Sequence, residues 1–354
     1  MSFAIWGLGT ALPESSVTQE MAAELTSRIS GHDAGQARRL STLYRRSGVR
    51  TRYVALLDRL DVSARPDHAS GPTTRSRMEH YEAAVLPLAA EASAKALGAA
   101  GVAAGGVTHL VTVSCTGFAA PGFDLALFAA LGLDPGVQRT HVGFMGCHGA
   151  LNGLRVARAF AGGDRSARVL LCAAELCSLH FRYGWDSDLA VSNALFGDGA
   201  AAVVGRSEPL DESDAWRLVA SGSTLMPETG DAMSWRIGDN GFEMTLSARV
   251  SGLIAENLRP WLEGWLAARG LELADVASWA IHPGGPRILD AVESALGLPR
   301  SATADSRDVL ASCGNMSSPT VLFILDRLRT RRAALPCVSL AFGPGLVIEA
   351  ALFA

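Results

Sequence analysis

The sequence repeats one strand–helix–strand order at a nearly constant offset of 168–169 residues. In the first half, a buried-strand pattern at Val107–Cys115 precedes a helical pattern at Cys147–Ala161 and a second strand at Arg168–Ala173. In the second half the order returns as strand Val276–His282, helix Met316–Leu328 and strand Leu335–Phe342. Alternating strands and helices indicate α/β architecture, and the constant offset indicates internal duplication. The pattern therefore predicts two similar halves meeting face to face, with Cys147 and Asn315 at corresponding helix starts.

A polar, acidic stretch at Arg206–Ala215 is the best candidate for the junction between the halves. We therefore predict an N-terminal half at 1–210 and a C-terminal half at 211–354. The composition, 49% hydrophobic and only 19% charged over 354 residues, suits a chain with a large buried core or subunit interface. Disordered chains have the opposite balance.

Charge and hydropathy exclude several classes of function. The net charge is −4 and no Lys/Arg block dominates, so nothing indicates a nucleic-acid partner. Met1–Ser16 lacks the basic start and apolar run of a secretory signal. The most apolar tract, Ala333–Ala354, is interrupted by Pro336 and by Gly343–Gly345, which predicts two buried strands and a tight turn, not a membrane span. A cytoplasmic location is expected.

The six cysteines form no Cys-x-x-Cys pair and no Cys/His group with zinc spacing, so we expect free thiols and no metal. Cys172 and Cys337 are interpreted as small buried hydrophobes. Cys147 differs, because a glycine-rich turn leads through it into an apolar helix. Unpaired N–H groups at a helix start favour negative charge and so ease ionisation of a thiol. The structural alternative is an ordinary buried cysteine at a helix start.

Two residues of the second half complete a possible acyl-transfer set. His282 leaves a buried strand into a Pro/Gly turn, where α/β proteins place active sites, although a hydrogen-bonded structural histidine fits the same position. Asn315 could equally be a helix N-cap. Together with Cys147 they would supply a nucleophile, a cationic partner and a donor for developing negative charge. His148 is a poorer partner for Cys147, since adjacent helical residues do not face each other.

Five short segments, in order across almost the whole chain, resemble the type III polyketide synthases, the chalcone synthase-like enzymes. They are Gly146-Cys147, Leu195–Ala201 (LFGDGAA), His282–Pro286 (HPGGP), Gly314–Ser318 (GNMSS) and Phe342–Gly345 (FGPG). Initiating ketoacyl-carrier-protein synthases of the same thiolase-type fold typically have His-Gln-Ala-Asn around the histidine. The His-Pro-Gly-Gly found here therefore favours the polyketide branch.

The resemblance implies a thiolase-like fold of duplicated βα halves in a five-layered α/β/α/β/α arrangement, assembled as a homodimer. It implies Cys147, His282 and Asn315 as the catalytic residues. The implied reaction loads an acyl-CoA starter on the cysteine, extends it by repeated decarboxylative condensation with malonyl-CoA, and cyclises it to a pyrone or phenolic product. Coenzyme A thioesters are the substrates, and no other cofactor is expected.

The resemblance also assigns residues around the catalytic set. Phe196 and Met244 fall on the two gatekeeper positions between the coenzyme A tunnel and the cavity. Other cavity positions fall on Cys115, Thr116, Cys177, His180, Trp235 and Ser317. The chalcone synthases have glycine at the position of Trp235, so this indole would fill product volume, unless it is an ordinary core tryptophan. Coenzyme A contacts fall on Arg46, Arg50 and Gly284; the arginines could instead be a solvated helix end.

Two other reaction classes fit the same residues. One is a thiolase-fold ketoacyl synthase or acyltransferase that makes a single condensation, with or without a carrier protein. The other is a thioester hydrolase that uses the same cysteine, histidine and asparagine. The starter, the number of extensions and the mode of cyclisation depend on cavity volume, which distant side chains set together.

Overall fold

The computed structural model describes residues 2–56, 71–185, 187–207 and 216–354, so the predicted junction at Arg206–Ala215 lies largely outside the described residues. The strands are β1 Phe3–Ala11, β2 Ser16–Thr18, β3 Thr51–Tyr53, β4 His109–Ser114, β5 Gln138–Gly143, β6 Val169–Leu176, β7 Asp198–Arg206, β8 Arg217–Leu225, β9 Met233–Gly238, β10 Gly241–Leu246, β11 Ser278–Ile281, β12 Cys337–Gly343 and β13 Val347–Phe353. The helices are α1 Gln19–Ile29, α2 Ala34–Arg46, α3 Thr74–Ala100, α4 Phe123–Leu131, α5 Gly149–Gly163, α6 Ser187–Leu195, α7 Val250–Ala267, α8 Pro286–Leu296, α9 Ala304–Cys313 and α10 Thr320–Thr330.

The nine-stranded sheet has the same strand order in both halves of the chain. Its order is β11-β12-β13-β8-β1-β7-β6-β4-β5. On one side of the central β8–β1 pair, β1–β7 and β7–β6 are antiparallel and β6–β4 is parallel. On the other side, β8–β13 and β13–β12 are antiparallel and β12–β11 is parallel. Only β5, which is parallel to β4, has no counterpart. The repeated order confirms the duplication predicted from the constant offset.

Side chains on the two faces of the strands pack against three layers of helices. One layer lies in the central core and one lies on the outer face of each sheet half. In β6, Val169, Leu171 and Ala173 join a central core with α5 and α10, whereas Leu170 and Cys172 join an outer core with α3. The second half alternates in the same way, with α7 and α8 as its outer layer. A period of two is what a strand buried on both faces requires. The α/β fold in five layers is thereby confirmed, with Cys172 and Cys337 as buried hydrophobes.

Among the described residues one helix, α3, is long and apolar enough to cross a membrane by length and composition. It packs closely on β1, where Gly7 and Gly9 leave room for its backbone: a Cβ on either glycine would overlap the carbonyls of Ala96 and Ala92. Side chains such as Val85 and Ala89 are buried against the sheet. This helix is therefore a core element of the fold.

The structure corrects the predicted helix starts. Cys147 lies in a 3₁₀ turn, Gly146–His148, directly before α5. The helix predicted to begin at Met316 begins at Thr320, with Pro319 as its N-cap, so Asn315 is neither at a helix start nor an N-cap. Its backbone is instead paired in a β-bridge with Phe196, a non-local contact that holds the chain extended. The apolar C-terminal tract does form two antiparallel strands, β12 and β13, as predicted.

Candidate active site

The backbone around Cys147 presents the thiol to residues of the other half. Gly146 has a left-handed φ of 70°, and a side chain there would collide with the ring of Pro344. Cys147 follows, buried, with its Sγ 4.0 Å from Nδ2 of Asn315. Burial raises the pKa of the Cys147 thiol to about 11, against hydrogen bonds from Ser317 and Asn315 that lower it. Two polar groups from the second half thus converge on this sulfur.

Both the backbone and the side chain of Asn315 are fixed. Its N–H donates to the Leu195 carbonyl (2.8 Å), and its carbonyl accepts from the Gly197 N–H (2.9 Å). Its Oδ1 accepts from the Ser317 N–H (2.8 Å), which leaves Nδ2 as the amide group directed at Cys147. The amide is therefore a donor held ready for negative charge at the sulfur or at a bound substrate oxygen.

His282 is buried directly after β11, where its N–H donates to the Leu340 carbonyl (2.8 Å). Neither ring nitrogen has a hydrogen-bond partner among the described residues. The pKa of His282 is lowered to about 3, mainly by burial and to a smaller extent by the nearby His148. His148 itself is engaged elsewhere, with Nδ1 2.6 Å from Oδ1 of Asn152. Buried polar atoms are rarely left unpaired, so the His282 ring has the capacity to bond a group that enters the site.

A cavity of about 360 Å³ lies over the thiol. Its lining includes Cys147 and seven other predicted site residues: Cys115, Thr116, Cys177, Phe196, Trp235, Met244 and Ser317. His282 and Asn315 are not among the lining residues, although Asn315 reaches the thiol through its amide.

His180 lines an adjoining cavity. Its Nδ1 accepts from the Phe242 N–H (3.0 Å), so Nε2 donates to the Thr116 carbonyl (2.6 Å); burial lowers its pKa to about 4.

Trp235 and Met244 are direct partners on the β9–β10 hairpin, which covers this cavity. The indole Nε1 donates to the Cys115 carbonyl (2.9 Å), and its ring centroid lies 6.5 Å from that of Phe196. The hairpin is joined to the start of α3, because Thr74 Oγ1 accepts from the Gly241 N–H (2.9 Å). Trp235 is therefore a wall of the cavity and not an ordinary core tryptophan.

Sequence reasoning missed Glu175, a fully buried carboxylate in β6. It accepts hydrogen bonds from the N–H groups of Cys115 and Thr116 and from the hydroxyl of Ser318 (2.6 Å). Burial raises its pKa, and these bonds oppose the rise. The carboxylate fixes the end of β4 to the segment that carries Asn315 and Ser317. The available signal was a lone glutamate in the apolar run VLLCAAEL, since acids are almost never fully buried unless paired.

The predicted coenzyme A contacts lie on one surface. Arg46, at the end of α2, and Arg50 are both exposed. Gly48, between them, faces Pro286 at the start of α8. That helix has Gly285 as its N-cap, without a side-chain cap, and the preceding Gly284 is partly exposed. Cationic side chains beside an open helix N-terminus suit phosphate groups. Within the described ranges, no three His, Cys, Asp or Glu side chains are grouped as metal ligands.

Comparison with known proteins identifies the family. Residues 2–209 match the N-terminal domain model of the chalcone and stilbene synthases, and residues 217–354 match the C-terminal one. The α-pyrone synthesis polyketide synthase-like Pks18 of Mycobacterium tuberculosis is 35% identical, covering 99% of this chain and 90% of that protein. Bisdemethoxycurcumin synthase of Oryza sativa subsp. japonica is also 35% identical, and the match covers 99% of this chain and 91% of that protein.

Solved structures agree. PKS-I of the brown alga Ectocarpus siliculosus superposes with a TM-score of 0.93 at 30% identity, covering 99% of this chain and 98% of that one. The C-terminal type III polyketide synthase domain of Steely1 from Dictyostelium superposes with a TM-score of 0.92 at 27% identity, covering 100% of this chain and 99% of that one. The chain therefore belongs to the chalcone and stilbene synthase family and is a type III polyketide synthase, an acyltransferase of the condensing type.

Proposed function

We propose that Cys147, His282 and Asn315 load an acyl-CoA starter and extend it repeatedly with malonyl-CoA. The observation that carries the proposal is the approach of the Asn315 amide to the Cys147 thiol, 4.0 Å across the two halves of the fold. A nucleophile and a positioned donor at one buried point are the requirements for acyl transfer through a tetrahedral oxyanion.

In the loading step, the sulfur of Cys147 attacks the starter carbonyl and His282 takes the thiol proton. Burial opposes either charge alone, as the pKa shifts of both groups show. In this proposal the thiolate and the imidazolium form next to each other and compensate each other's charge, which favours transfer of the proton between them. Coenzyme A then leaves with that proton, and the acyl group remains as a thioester on Cys147.

In the extension step, His282 and Asn315 donate hydrogen bonds to the thioester carbonyl of malonyl-CoA. Loss of carbon dioxide places negative charge on that oxygen, so donors already directed there stabilise the enolate more than the ground state. The enolate carbon attacks the Cys147 thioester, the carbon–sulfur bond breaks, and a β-ketoacyl-CoA forms. Apolar walls such as Phe196 and Met244 exclude water that would quench the enolate.

Several finer features belong to the same proposal. Coenzyme A phosphates bind Arg46 and Arg50 beside Gly284, and coenzyme A thioesters are the only small molecules the reaction needs. The product is a pyrone or a phenolic, resorcinol-type ring. The pyrone is favoured, because the Trp235 indole occupies cavity volume and a relative 35% identical is named for α-pyrone synthesis. The halves 1–210 and 211–354 act as one catalytic unit.

The enzyme works as a homodimer in the cytoplasm. The strand β5 pairs only with β4 within the described sheet, and Phe118, Phe144 and Met145 are exposed near its end. An unpaired sheet edge beside exposed apolar side chains suits a second copy. All six cysteines are free thiols, which fits a reducing compartment.

The test is product analysis of purified wild type and Cys147→Ala with an acyl-CoA starter and malonyl-CoA, without carrier protein. We expect multiply extended products from wild type and none from the variant. A single extension, or a strict need for carrier protein, would instead indicate the ketoacyl synthase class. Release of free acid without dependence on malonyl-CoA would indicate a hydrolase. Condensation at the wild-type rate in Cys147→Ala would contradict the assignment of the nucleophile.

A further inference from the structure

The Ser317 hydroxyl lies between two cysteine thiols in the cavity over the nucleophile. Its Oγ is 3.3 Å from Sγ of Cys115, and it also forms a hydrogen bond to the sulfur of Cys147. All three side chains are buried and line the same cavity. Burial raises the pKa of Cys147 to about 11, and the Ser317 hydroxyl opposes this rise more than the Asn315 amide does. The hydroxyl therefore acts directly on the reacting sulfur.

The backbone of Ser317 is held in an uncommon conformation. Its φ of 57° lies in the left-handed region, which glycine adopts without strain and serine adopts rarely. The Ser317 N–H donates to Oδ1 of Asn315 (2.8 Å), and the Ser317 carbonyl accepts from the Thr320 N–H (3.2 Å). The next residue, Ser318, donates its hydroxyl to Glu175 (2.6 Å). Strain that neighbouring bonds maintain at an active site points to a function for the side chain it orients, which here is the hydroxyl.

The second thiol, Cys115, is held in its protonated form. Its pKa is raised well above the ordinary value, mainly by burial and next by the charge of Glu175. The Glu175 carboxylate accepts hydrogen bonds from the N–H groups of Cys115 (2.9 Å) and Thr116 (3.1 Å), so its negative charge lies beside this thiol. Cys115 therefore keeps an S–H group that it can donate to Ser317.

Ionisation of Cys147 fixes the direction of these hydrogen bonds. A thiolate has no proton and can only accept, so the Ser317 hydroxyl must direct its O–H to the Cys147 sulfur. The Ser317 oxygen is then available to accept the S–H of Cys115, 3.3 Å away. Hydrogen bonds in series polarise one another, and a bond to a charged acceptor is the stronger kind. The chain from Cys115 through Ser317 to Cys147 therefore stabilises the thiolate more than the neutral thiol.

Resting on the proposed function, we propose that Ser317 is a further catalytic residue, a donor to the Cys147 thiolate, and that Cys115 positions its proton. The donor acts first in loading, when the thiolate attacks the starter. It acts again in condensation, because the electron pair of the broken carbon–sulfur bond returns to the same sulfur. The thiolate thus keeps a donor of its own while the Asn315 amide serves the carbonyl of malonyl-CoA.

The experiment measures the midpoint of Cys147 alkylation by iodoacetamide against pH, with the modified peptide quantified by mass spectrometry. Ser317→Gly removes the hydroxyl and suits the left-handed backbone, whereas Ser317→Ala removes the hydroxyl and keeps the strain. We expect both variants to raise the midpoint by about one pH unit or more, because each loses one hydrogen bond to a charged group. The control Ser234→Ala removes another hydroxyl that lines the cavity and should keep the wild-type midpoint.

Two variants test the contribution of Cys115. Cys115→Ala should raise the midpoint by about 0.3 pH unit, because polarisation adds only a fraction of the strength of a hydrogen bond. Cys115→Ser supplies an O–H in place of the S–H and should restore the wild-type midpoint. In every variant, the acid limb of starter loading on Cys147 should move by the same amount as the alkylation midpoint, since both reactions need the thiolate.

Three results would overturn the proposal. A wild-type midpoint in Ser317→Ala and Ser317→Gly would show that the hydroxyl does not stabilise the thiolate, and a shift in Ser317→Gly alone would assign the residue a backbone role. Equal midpoints in Cys115→Ser and Cys115→Ala would show that Cys115 donates nothing to Ser317. Failure of the proposed function is distinct, because alkylation needs no substrate: wild type would then extend no acyl-CoA, whatever the midpoints of the variants.

Discussion

Asn315 and Phe196 are held together by their backbones across the two halves of the fold. The bridge between them uses the N–H and the carbonyl of Asn315, bonded to Leu195 and Gly197. The asparagine side chain takes no part in this pairing and is left for Cys147 and Ser317. The same short contact thus positions the backbone of Phe196, a proposed gatekeeper, and of Asn315, the proposed catalytic donor.

Replacing the amide should therefore remove chemistry without unfolding the site. We expect Asn315→Ala to slow malonyl-CoA decarboxylation by about 10² or more, as for loss of one oxyanion donor. Asn315→Asp keeps an acceptor for the Ser317 N–H but has no N–H to donate, so it should be impaired to a similar extent. Release of carbon dioxide and the unfolding midpoint are measured for both variants. Decarboxylation near the wild-type rate in both would show that another group stabilises the enolate.

Removing the imidazole should make the thiol harder to ionise. Burial outweighs the hydrogen bonds from Ser317 and Asn315 and raises the pKa of Cys147 to about 11. A protonated His282 acting as its proposed partner would lower that pKa. We expect the midpoint of iodoacetamide alkylation to move to higher pH in His282→Ala, by about one unit or more. The rate is followed against pH, with Cys147→Ala subtracted to remove reaction at the other five cysteines. Identical midpoints in wild type and His282→Ala would exclude the histidine as the thiol's partner.

The α/β class and the two similar halves were predictable from local periodicity, whereas the five-layered arrangement was implied by the resemblance to the family. Each strand or helix pattern depends on residues close in sequence, and comparing the patterns of the two halves gives the constant offset. The repeated sheet order confirms the duplication. The start of the last long helix was predicted wrongly for a non-local reason. Asn315 has the local character of a helix cap, yet its hydrogen bonds go to a segment more than a hundred residues earlier.

The adjoining cavity that His180 lines and the hydrogen-bond partners of Glu175 lay beyond sequence reasoning for the same reason. Leu25 and Trp235 share a cavity although 210 residues separate them. The role of Glu175 depends on donors from β4 and from Ser318 that only the folded sheet brings together. A single sequence shows which residues are chemically unusual. The partners of those residues are set by tertiary packing.

Reducing the Trp235 side chain should alter the product while condensation persists. In Trp235→Gly the cavity loses its indole wall and the bond to the Cys115 carbonyl, so we expect longer chains or a different ring closure. Trp235→Phe keeps most of the ring volume without the donor and should retain the wild-type product pattern. Products are compared by mass spectrometry at equal malonyl-CoA consumption. An unchanged profile in Trp235→Gly would mean that this side chain does not set the product volume.

Asp198, the first residue of β7, should make stability depend on pH. It is fully buried, and burial raises its pKa from 3.8 to about 6, against hydrogen bonds from Ala55 and Ser178. The folded state then holds a proton that the unfolded chain has already released. This contribution is therefore fully favourable below about pH 4 and is lost as pH rises through about 6. Two pKa units correspond to a change of at most about 3 kcal/mol.

Asp198→Asn removes this titration, although one acceptor oxygen fewer leaves a donor unpaired at every pH. The unfolding free energies of wild type and of Asp198→Asn are measured by denaturant unfolding at a fixed protein concentration. The wild-type value minus the variant value should fall by up to about 3 kcal/mol between pH 4 and pH 7. Asp33→Asn is the control, because backbone hydrogen bonds from Gln36 and Gly35 lower the pKa of exposed Asp33. Its stabilising effect is lost only below pH 4, so its difference from wild type should stay flat over the measured range. A flat difference for Asp198→Asn as well would show that the buried carboxylate stays ionised at no cost.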